Sequence, residues 1–571
     1  MSTSTAPMNG SFNAEQKEYL TGLFAGITAR GVGFGDAAQN PDAEAKPALE
    51  DLIFEERVKR ELHPLDAFQQ ILDNAAANKA PDKEEIFRFK WNGLFYLTPV
   101  KEAFMARLRI PGGQLRTFQL RELAAIAKEI TTGYVQITTR ANLQMRLILP
   151  KDAPTFVQRI QHVGLHTRGA GADNIRNLTA NPTAGVDPQE LMDVMPLCQE
   201  MGQIIINDRA FYDLPRKFNI AYDGGGLIGT VEDTNDIGCR AVKVGDEIFF
   251  RIALGGATGH KAFARDLGVL VKPAELNKVV AAVVRVYIAN GNRTDRKKAR
   301  LKHLLEKWTL DQYLAETEKL LGFQLQRAAE EKSEVRGQKS EVAHSHVGVF
   351  PQKQSGLNYV GVAVPVGHIN SKQMLRVAEI ADLYGSGEIR LTVWQNFIIP
   401  NVPDHFVATV QKALRKIGFD TQQSNLRSGL IACTGSSYCK FAQSDTKGHA
   451  LKLADYLDKR IQLDQPVNIH VTGCPNSCAQ HYMGDIGLLG AKVKVAGESQ
   501  DGYHVFVGGG FGANQAAGRQ IFNGIAFDSL PPLLEKMLRG YLRHRTESET
   551  FQAFTARHDI NTLQAIFSND E

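Results

Sequence analysis

Three features that would assign a class at once are missing from this sequence: long hydrophobic runs, a strong net charge and abundant cysteine. No apolar run reaches the roughly eighteen residues that a membrane-spanning helix needs, so we expect no membrane association. The net charge is +4 over 571 residues, which is too weak to indicate nucleic-acid binding. The opening segment MSTSTAPMNGSFNAEQKEYL lacks the apolar core of a signal peptide and the arginine-rich pattern of a transit peptide. We therefore expect a cytoplasmic protein whose thiols stay reduced.

The six cysteines are too sparse for a disulfide framework, but four of them form two pairs. Cys433 and Cys439 are spaced C-x5-C, Cys474 and Cys478 are spaced C-x3-C, and thirty-four residues separate the pairs. Paired zinc ligands are usually two to four residues apart, so only the second pair fits zinc. Four thiolates also suit a [4Fe-4S] cluster. The glycines and the proline beside the pairs favour a backbone wrapped around a cofactor over four unrelated core cysteines.

An internal repeat indicates how the chain is organised. Its length predicts two to four domains, and five sequence blocks recur in the same order about 250 residues apart. The paired blocks are FMARLRIPGG with YVGVAVPVGH, YVQITTRANLQMRLIL with IRLTVWQNFIIPNV, DNIRNLTANP with SNLRSGLIACTG, KFNIAY with VNIHVT, and FFRIALGGATG with YHVFVGGGFG. The chain is therefore predicted to be a duplicated module, each copy a small α/β unit followed by a larger one.

The cysteine loops carry a family resemblance. CTGSSYC followed by TGCPNSCAQ resembles the signature of the sirohaem and [4Fe-4S] nitrite and sulfite reductases, closest to the ferredoxin-dependent assimilatory nitrite reductases, and the resemblance covers about residues 90–560. It implies that the four cysteines bind the cluster and that Cys478 also bridges to the sirohaem iron, whose other face binds the substrate anion. The implied fold class is α+β and internally duplicated, with ferredoxin-like half-domains and two larger α/β sirohaem-binding domains.

The predicted boundaries follow this scheme. Alternating strand patterns around a helix favour a split βαβ-like sheet made from both copies, and helical spacing in AEQKEYLTGLFAGITAR indicates a helical start. The units are an N-terminal helical extension (1–85), a half-domain (86–155), a sirohaem and substrate domain (156–300), a linker (301–345), the second half-domain (346–415) and a [4Fe-4S]/sirohaem domain (416–571).

Basic and amide side chains in the repeat blocks are candidate site residues, because a buried anion needs cations and guanidinium binds carboxylate in a bidentate way. A lone arginine or lysine is more often a surface charge, and it is their place in blocks that match the family that singles these out. By resemblance, the substrate-side residues are Arg107, Arg176, Lys217 and Asn219, the sirohaem-carboxylate residues are Arg140 and Arg146, and the residues of the second copy expected to line the macrocycle are Thr392, Gln395 and Asn396. Cys198 and Cys239 have no partner spacing and are predicted to be core or surface thiols.

Asn219 bears on the choice of substrate. Family members that reduce sulfite tend to have K-x-K where this chain has Lys217-Phe218-Asn219, and nitrite reductases tend to have K-x-N. Sulfite carries more negative charge than nitrite, so its site gains more from a second cation. The resemblance thus implies six-electron reduction of nitrite to ammonia in nitrite assimilation. Sulfite reduction to sulfide is the alternative, and a non-catalytic iron–sulfur or zinc scaffold would leave the basic blocks unexplained.

The electron donor is expected to be another protein. FVGGGFG lacks a complete G-x-G-x-x-G and is a repeat feature, so we find no nicotinamide or flavin module. The family implies ferredoxin, and an acidic ferredoxin calls for a basic docking patch. The densest basic run is Arg296, Lys297, Lys298, Arg300 and Lys302, for which a solvated helix face is the alternative. We expect a monomer that binds nitrite and ferredoxin.

Overall fold

The computed structural model describes residues 49–98, 100–328, 334–336 and 346–568, with the backbone alone for 334–336. The helix predicted in AEQKEYLTGLFAGITAR lies outside the described residues. Of the predicted extension, the described part forms helices α1 (Phe54–Glu61), α2 (Phe68–Ala76) and α3 (Lys83–Arg88). They pack on the body of the protein through a small apolar cluster that includes Val58, Trp91 and Tyr212, and the Trp91 indole N–H donates to the Tyr212 carbonyl at 3.0 Å.

The first copy contains a small unit and a larger unit, as the repeat predicts. The small unit comprises β1 (Leu94–Tyr96), β2 (Phe104–Arg107), β3 (Gln114–Arg116), α4 (Thr117–Ile130), β4 (Tyr134–Ile137), β5 (Leu143–Ile148) and α5 (Ala153–His162). The larger unit comprises β6 (Thr179–Ala180), α6 (Met195–Asn207), β7 (Ile220–Asp223), β8 (Ile237–Val244), β9 (Glu247–Leu254), β10 (Arg265–Val271), α7 (Leu276–Asn290), α8 (Leu301–Leu304), α9 (Leu310–Leu321), β11 (Gln326–Arg327) and β12 (Glu334–Arg336).

The second copy repeats this order. Its small unit comprises β13 (Gly348–Pro351), β14 (Leu357–Val362), β15 (His368–Asn370), α10 (Ser371–Tyr384), β16 (Glu388–Leu391), β17 (Phe397–Pro403) and α11 (Val407–Lys416). Its larger unit comprises β18 (Leu430–Ala432), α12 (Thr446–Asp458), β19 (Ile469–Thr472), β20 (Ile486–Val495), β21 (Glu498–Val507), β22 (Arg519–Ala526), α13 (Leu530–His544), α14 (Phe551–Arg557) and α15 (Ile560–Ser568).

The two small units form two sheets and exchange a strand, where the sequence predicted one sheet from both copies. The strand orders are β1-β2-β5-β4-β15 and β13-β14-β17-β16-β3, so each five-stranded sheet ends in a strand from the other copy. Ile369 of β15 lies opposite Val135 of β4, and Leu115 of β3 lies opposite Ile389 of β16. Helices α4 and α10 pack together, and both small units contribute to one shared apolar core.

The two larger units have the same mixed topology. In each sheet the first three strands are parallel and the next two are antiparallel: β6 to β10 in the first copy and β18 to β22 in the second. Cys198 and Cys239 are buried in the core of the first larger unit, where burial raises the pKa of both thiols. They are core cysteines, one of the two predicted alternatives.

Part of the predicted linker is folded. Leu301, Tyr313 and Leu321 are buried in the core of the first larger unit, because α8 and α9 present apolar side chains to α7. The later strand β12 pairs with β8. The first half of 301–345 therefore belongs to the first larger unit, which corrects its assignment to a linker. Among the described helices, none combines the length and the apolar character required to cross a bilayer.

Candidate functional site

The four paired cysteines lie on loops that leave the same edge of one sheet. Strands β18 and β19 are parallel neighbours, so the loops after them meet at the carboxyl edge, where ligands bind in such sheets. Cys433 follows β18 directly, and its backbone N–H donates to the Val471 carbonyl of β19 at 3.0 Å. Cys474 follows β19 after one glycine. The parallel pairing therefore brings together cysteines that are far apart in the sequence.

N–H groups point at two of the cysteine sulfurs. The Gly473 N–H donates to the Cys433 sulfur at 3.2 Å, and the Asn476 carboxamide N–H lies 3.6 Å from the Cys474 sulfur. Burial raises the pKa of the Cys474 thiol, and the neighbouring Cys439 and Cys433 raise it further through their charge. Since N–H groups aimed at sulfur stabilise iron–sulfur clusters, these loops fit a cluster. In the described ranges, no three His, Cys, Asp or Glu side chains are placed to hold one metal ion.

Cys478 faces the first copy. Its side chain is reached by solvent, yet burial of the surroundings raises the pKa of its thiol to about 11, with Cys433 raising it further and Lys217 and Arg107 lowering it. A side chain that is accessible to solvent and yet surrounded by protein lies in a recess of the surface, which is called the cavity below. The Cys478 carbonyl accepts a hydrogen bond from the Thr139 hydroxyl at 2.9 Å, which fixes this loop against the turn between β4 and β5.

Four predicted cations converge on this cavity. Arg107, Arg140, Arg176 and Lys217 are each partly accessible. Burial lowers the pKa of all four: to about 10 for Arg140, to about 7 for Lys217, well below the usual range for Arg176, and below the usual range for Arg107. Mutual repulsion contributes to the shift at Arg140 and Arg176, and attraction to Cys478 opposes it at Lys217. The carboxylates of Asp236 and Asp173 oppose the shifts at Arg140 and Arg176, and an excess of cations over carboxylates suits an anion.

The hydrogen-bond partners of the three arginines are neutral groups, so the positive charges remain available to an anion. Arg176 donates to the carbonyls of Ala170 and Ala172, both at 2.8 Å, so neutral backbone groups orient its charge. Arg107 makes one long bond, 3.4 Å, to the Ala170 carbonyl and stacks over the Phe95 ring at 4.8 Å. Arg140 donates to the Asn235 carboxamide at 3.0 Å.

Lys217 and Asn219 stand at the start of β7 with unsatisfied side chains. No described group accepts a hydrogen bond from the Lys217 ammonium. Asn219 is 7% exposed, and its carboxamide oxygen is buried without a hydrogen-bond partner in the described structure. Because buried polar groups are normally paired, both side chains are prepared for a group that the polypeptide does not supply.

Arg146 is more deeply enclosed than the other four cations. It is 2% exposed and is enclosed by polar partners: it donates to Gln136, to Gln144 at 2.8 Å and to the Thr434 hydroxyl at 2.7 Å. Its guanidinium also stacks over Tyr438 at 5.4 Å. Arg146 therefore ties β5 to the first cysteine loop, and its predicted contact with a sirohaem carboxylate gains no support from this placement.

The predicted macrocycle-lining residues of the second copy are also buried in protein contacts. Gln395 donates to the Ile137 and Ala432 carbonyls and accepts from the Ala432 N–H. The Asn396 carboxamide oxygen accepts from the Val364 N–H at 2.8 Å, and the Thr392 hydroxyl accepts from N–H groups of its own turn. These three residues shape the turn between β16 and β17 and support β18, and this placement adds no support to the prediction that they line the macrocycle.

Two basic residues near the site were not predicted from the sequence to belong to it: Arg300, which was assigned to the docking run, and Lys447. Arg300 donates to both oxygens of Asp236, at 3.1 and 2.7 Å. Lys447 donates to the Val366 carbonyl and, at 3.3 Å, to the Ala432 carbonyl, and burial lowers its pKa to about 7, with Arg146 lowering it further and Cys433 opposing. The only sequence signal for the first pair is the repeated tripeptide DIG, at 236–238 and 485–487.

The predicted basic docking run is largely neutralised. Arg296 binds both oxygens of Asp173, at 2.7 and 2.8 Å, Arg300 binds Asp236, and Lys302 pairs with Glu306 at 3.0 Å. Lys297 and Lys298 are exposed. The run therefore anchors this segment to the larger unit and offers few free charges to a partner.

These features define a class of protein: a duplicated α+β chain in which one of four paired cysteines of the second copy, Cys478, lies beside a cluster of cations from the first copy. Comparison with known families agrees. The model for the nitrite and sulphite reductase 4Fe-4S domain matches residues 171–325 and 423–569, and the model for the nitrite/sulfite reductase ferredoxin-like half domain matches residues 98–163 and 350–417. The chain belongs to the nitrite and sulfite reductase family and is an oxidoreductase.

Two individual relatives and one solved structure also match most of the chain. The chain is 36% identical to a ferredoxin–nitrite reductase of Synechococcus elongatus over 509 residues, which cover 87% of this chain and 98% of the relative. It is 34% identical to the chloroplastic ferredoxin–nitrite reductase of Spinacia oleracea, over 82% of this chain and 81% of that one. The structure of the Mycobacterium tuberculosis NirA protein superposes with a TM-score of 0.83 at 28% identity, covering 90% of this chain and 98% of that one.

Proposed function

We propose that this protein reduces nitrite to ammonia in nitrite assimilation, with electrons from ferredoxin, at a sirohaem coupled to a [4Fe-4S] cluster. The observation that carries the proposal is the convergence of Arg107, Arg176 and Lys217 on the cavity bordered by Cys478. Relatives named ferredoxin–nitrite reductase support the choice of substrate and donor.

The chain offers residues for both cofactors. Cys433, Cys439, Cys474 and Cys478 would hold the cluster, and Cys478, on the cavity wall, would connect it to the sirohaem. Arg140, which keeps only a neutral carboxamide partner, would bind a sirohaem carboxylate. When bound, the two cofactors supply the electrons and an open coordination position for the anion.

The protein residues would bind the anion and provide protons. Arg107 and Arg176 would offset the charge of nitrite as guanidinium cations. Lys217, with a pKa lowered to about 7, sits in the range where a side chain both holds and releases a proton effectively. The unpaired Asn219 carboxamide would orient one oxygen of the anion without adding a second charge.

The neutral Asn219 also favours nitrite over sulfite. A second cation at this position would stabilise a more highly charged anion, and the described cavity has an amide there. Sulfite reduction by the same fold is the alternative, and relative rates with the two anions separate the two functions.

The test starts from the purified holoprotein. We expect a visible spectrum with a haem band, about four iron and four sulfide per sirohaem iron, as one cluster requires, and oxidation of dithionite-reduced methyl viologen that is fast with nitrite and slow with sulfite. The reverse preference would make the protein a sulfite reductase. A colourless, zinc-containing protein would rule out the proposal.

A matched pair of cysteine variants locates the cluster. Cys439→Ser should lose cluster iron and nitrite reduction, because it removes a proposed ligand. Cys198→Ser, a buried thiol in the core of the first copy, should keep its iron at some cost in stability. Loss of iron in Cys198→Ser with full iron in Cys439→Ser would contradict the assignment.

A further inference from the structure

The duplication places an asparagine and an aspartate at the same two positions in each larger unit. Asn219 precedes β7 as Asn468 precedes β19, and Asp236 precedes β8 as Asp485 precedes β20. In both copies the aspartate accepts from the asparagine backbone N–H, at 2.9 Å in the first and 2.8 Å in the second. The asparagine carbonyl in turn accepts from the residue after the aspartate, Ile237 or Ile486.

The asparagine side chains nevertheless differ. In the second copy the Asn468 carboxamide closes onto the aspartate: its N–H donates to Asp485 at 2.7 Å, and its oxygen accepts from the Asp485 N–H at 2.9 Å. In the first copy neither bond exists. The Asn219 carboxamide makes no hydrogen bond to any described residue, and its oxygen is buried.

Arg300 is one difference between the two copies. Its guanidinium takes both oxygens of Asp236, at 3.1 and 2.7 Å, in a buried bidentate pair. No arginine or lysine of the described chain pairs with Asp485. A carboxylate has few acceptor positions, and a planar guanidinium in fork geometry outcompetes a neutral amide for them. The second copy shows what the asparagine does when this competitor is absent.

We propose that Arg300 is a positioning residue that, by occupying Asp236, keeps the Asn219 carboxamide from closing onto Asp236 and leaves its N–H available to the substrate anion. The equivalent asparagine is hydrogen-bonded to its aspartate in the second copy and is free to bind a ligand in the first. The buried ion pair between Arg300 and Asp236 causes this difference. The role assigned to nitrite rests on the proposed function; the effect of Arg300 on the conformation of Asn219 does not.

The first test is structural. In a crystal structure of the Arg300→Met holoprotein we expect the Asn219 carboxamide to donate to Asp236 at less than about 3.2 Å, as Asn468 does to Asp485. Arg300→Lys, which keeps a cation beside Asp236, should retain the open position of Asn219. An unchanged Asn219 in Arg300→Met would overturn the proposal, whatever the protein reduces.

The second test is a double-mutant cycle on nitrite binding, followed in the visible spectrum and normalised to sirohaem content. Arg300→Met should raise the Kd for nitrite about tenfold, the scale of one hydrogen bond to an anion. In an Asn219→Ala background the same change should raise it less than about twofold, because Arg300 acts through Asn219. Equal effects in both backgrounds would mean that Arg300 contacts the anion or cofactor itself and would overturn the proposal.

A control separates this effect from general destabilisation. Arg293 also pairs with carboxylates, Glu56 at 2.8 Å and Asp213 at 3.1 Å, but outside the cavity. Arg293→Met should lower the thermal midpoint and leave the Kd for nitrite unchanged. If Arg293→Met raised that Kd as much as Arg300→Met, lost stability would explain both results. Wild-type protein without nitrite binding would refute the proposed function, while the crystallographic comparison would still decide the role of Arg300.

Discussion

Lys217 illustrates what a single buried cation contributes to this site. Its ammonium has no acceptor in the described structure, and burial, followed by repulsion from Arg300, lowers its pKa to about 7. An unpaired buried lysine costs folding free energy, so its presence in the cavity indicates a binding role rather than a structural one.

Replacing Lys217 tests that role. Lys217→Met should raise the KM for nitrite by about 10- to 100-fold, because a charge-assisted hydrogen bond of roughly 1.5–3 kcal/mol is lost. Steady-state kinetics with reduced methyl viologen measure the change. The exposed Lys298→Met should behave as wild type. An unaltered KM in Lys217→Met would show that the lysine does not bind the anion.

Asp485 gives a prediction about pH. Burial raises the pKa of Asp485 to about 7, so the folded protein keeps a proton that the unfolded chain releases near pH 4. Stability linked to this proton is present at low pH and is lost as the pH rises through 7.

Asp485→Asn mimics the protonated carboxyl and should remove that pH dependence. We expect the variant and the wild type to have similar thermal midpoints at pH 5, and the variant to unfold about 2–4 °C higher at pH 8. Calorimetry measures both. Asp464→Asn is the control, since its pairing with Arg545 lowers the pKa and predicts no change over this range. If the difference in thermal midpoint between variant and wild type stayed constant from pH 5 to pH 8, the raised pKa of Asp485 would be contradicted.

At the scale of the element, the first cysteine loop depends on a glycine at its turn. Gly435 has φ +75, a left-handed conformation, and a Cβ there would lie 2.8 Å from the Thr446 backbone nitrogen. The loop must therefore pass close to the start of α12 on its way from Cys433 to Cys439.

Gly435→Ala should lower the iron content of the purified protein, because the clash displaces Cys439 as well as straining the backbone by about 1–2 kcal/mol. Gly497→Ala is a matched control: Gly497 also has positive φ, +90, but open space around its Cβ. It should lose some stability and keep its iron. Equal iron in both variants would show that the close approach is not required for loading.

At the scale of the whole molecule, strand exchange makes the two copies dependent on each other. Each small sheet ends in a strand of the other copy, and the shared core contains residues of both. A separated half would expose an unpaired sheet edge and part of this core, both of which promote aggregation.

We therefore expect residues 49–345 and 346–571, expressed separately, to be aggregated or poorly folded, and to form a 1:1 complex when expressed together. Size-exclusion chromatography and circular dichroism distinguish these results. A stable, monomeric half with native far-ultraviolet and near-ultraviolet spectra would show that the exchange is dispensable.

The proposed donor also gives a prediction for the whole molecule. Turnover with reduced ferredoxin should fall several-fold between 0.05 and 0.5 M NaCl, since association of oppositely charged proteins is screened at about 10 Å in 0.1 M salt. Turnover with methyl viologen should change little over the same range. An equal loss of turnover with both donors would show that salt acts at the active site and not on the binding of ferredoxin.

Local sequence determined the duplication, the cysteine pairs and the cations around the cavity. The repeat blocks fold into units of the same topology because each strand and each helix forms from the hydrophobic periodicity of its own sequence. Arg107, Arg176 and Lys217 reach the cavity because each adjoins a strand whose place in the sheet the blocks already indicated. Within the described residues, the sequence also marked the buried, unpaired Asn219 as important.

Only the tertiary structure decided the partners of the remaining polar residues. Arg146 and Thr434 are 288 residues apart and Arg300 and Asp236 are 64 apart, and no periodicity predicts which arginine meets which acceptor. The exchange of β3 and β15 has the same origin, since either copy could have paired with its own strand. Such choices depend on the relative burial and hydrogen-bond geometry of competing contacts, and these energies exist only once the two copies have packed together.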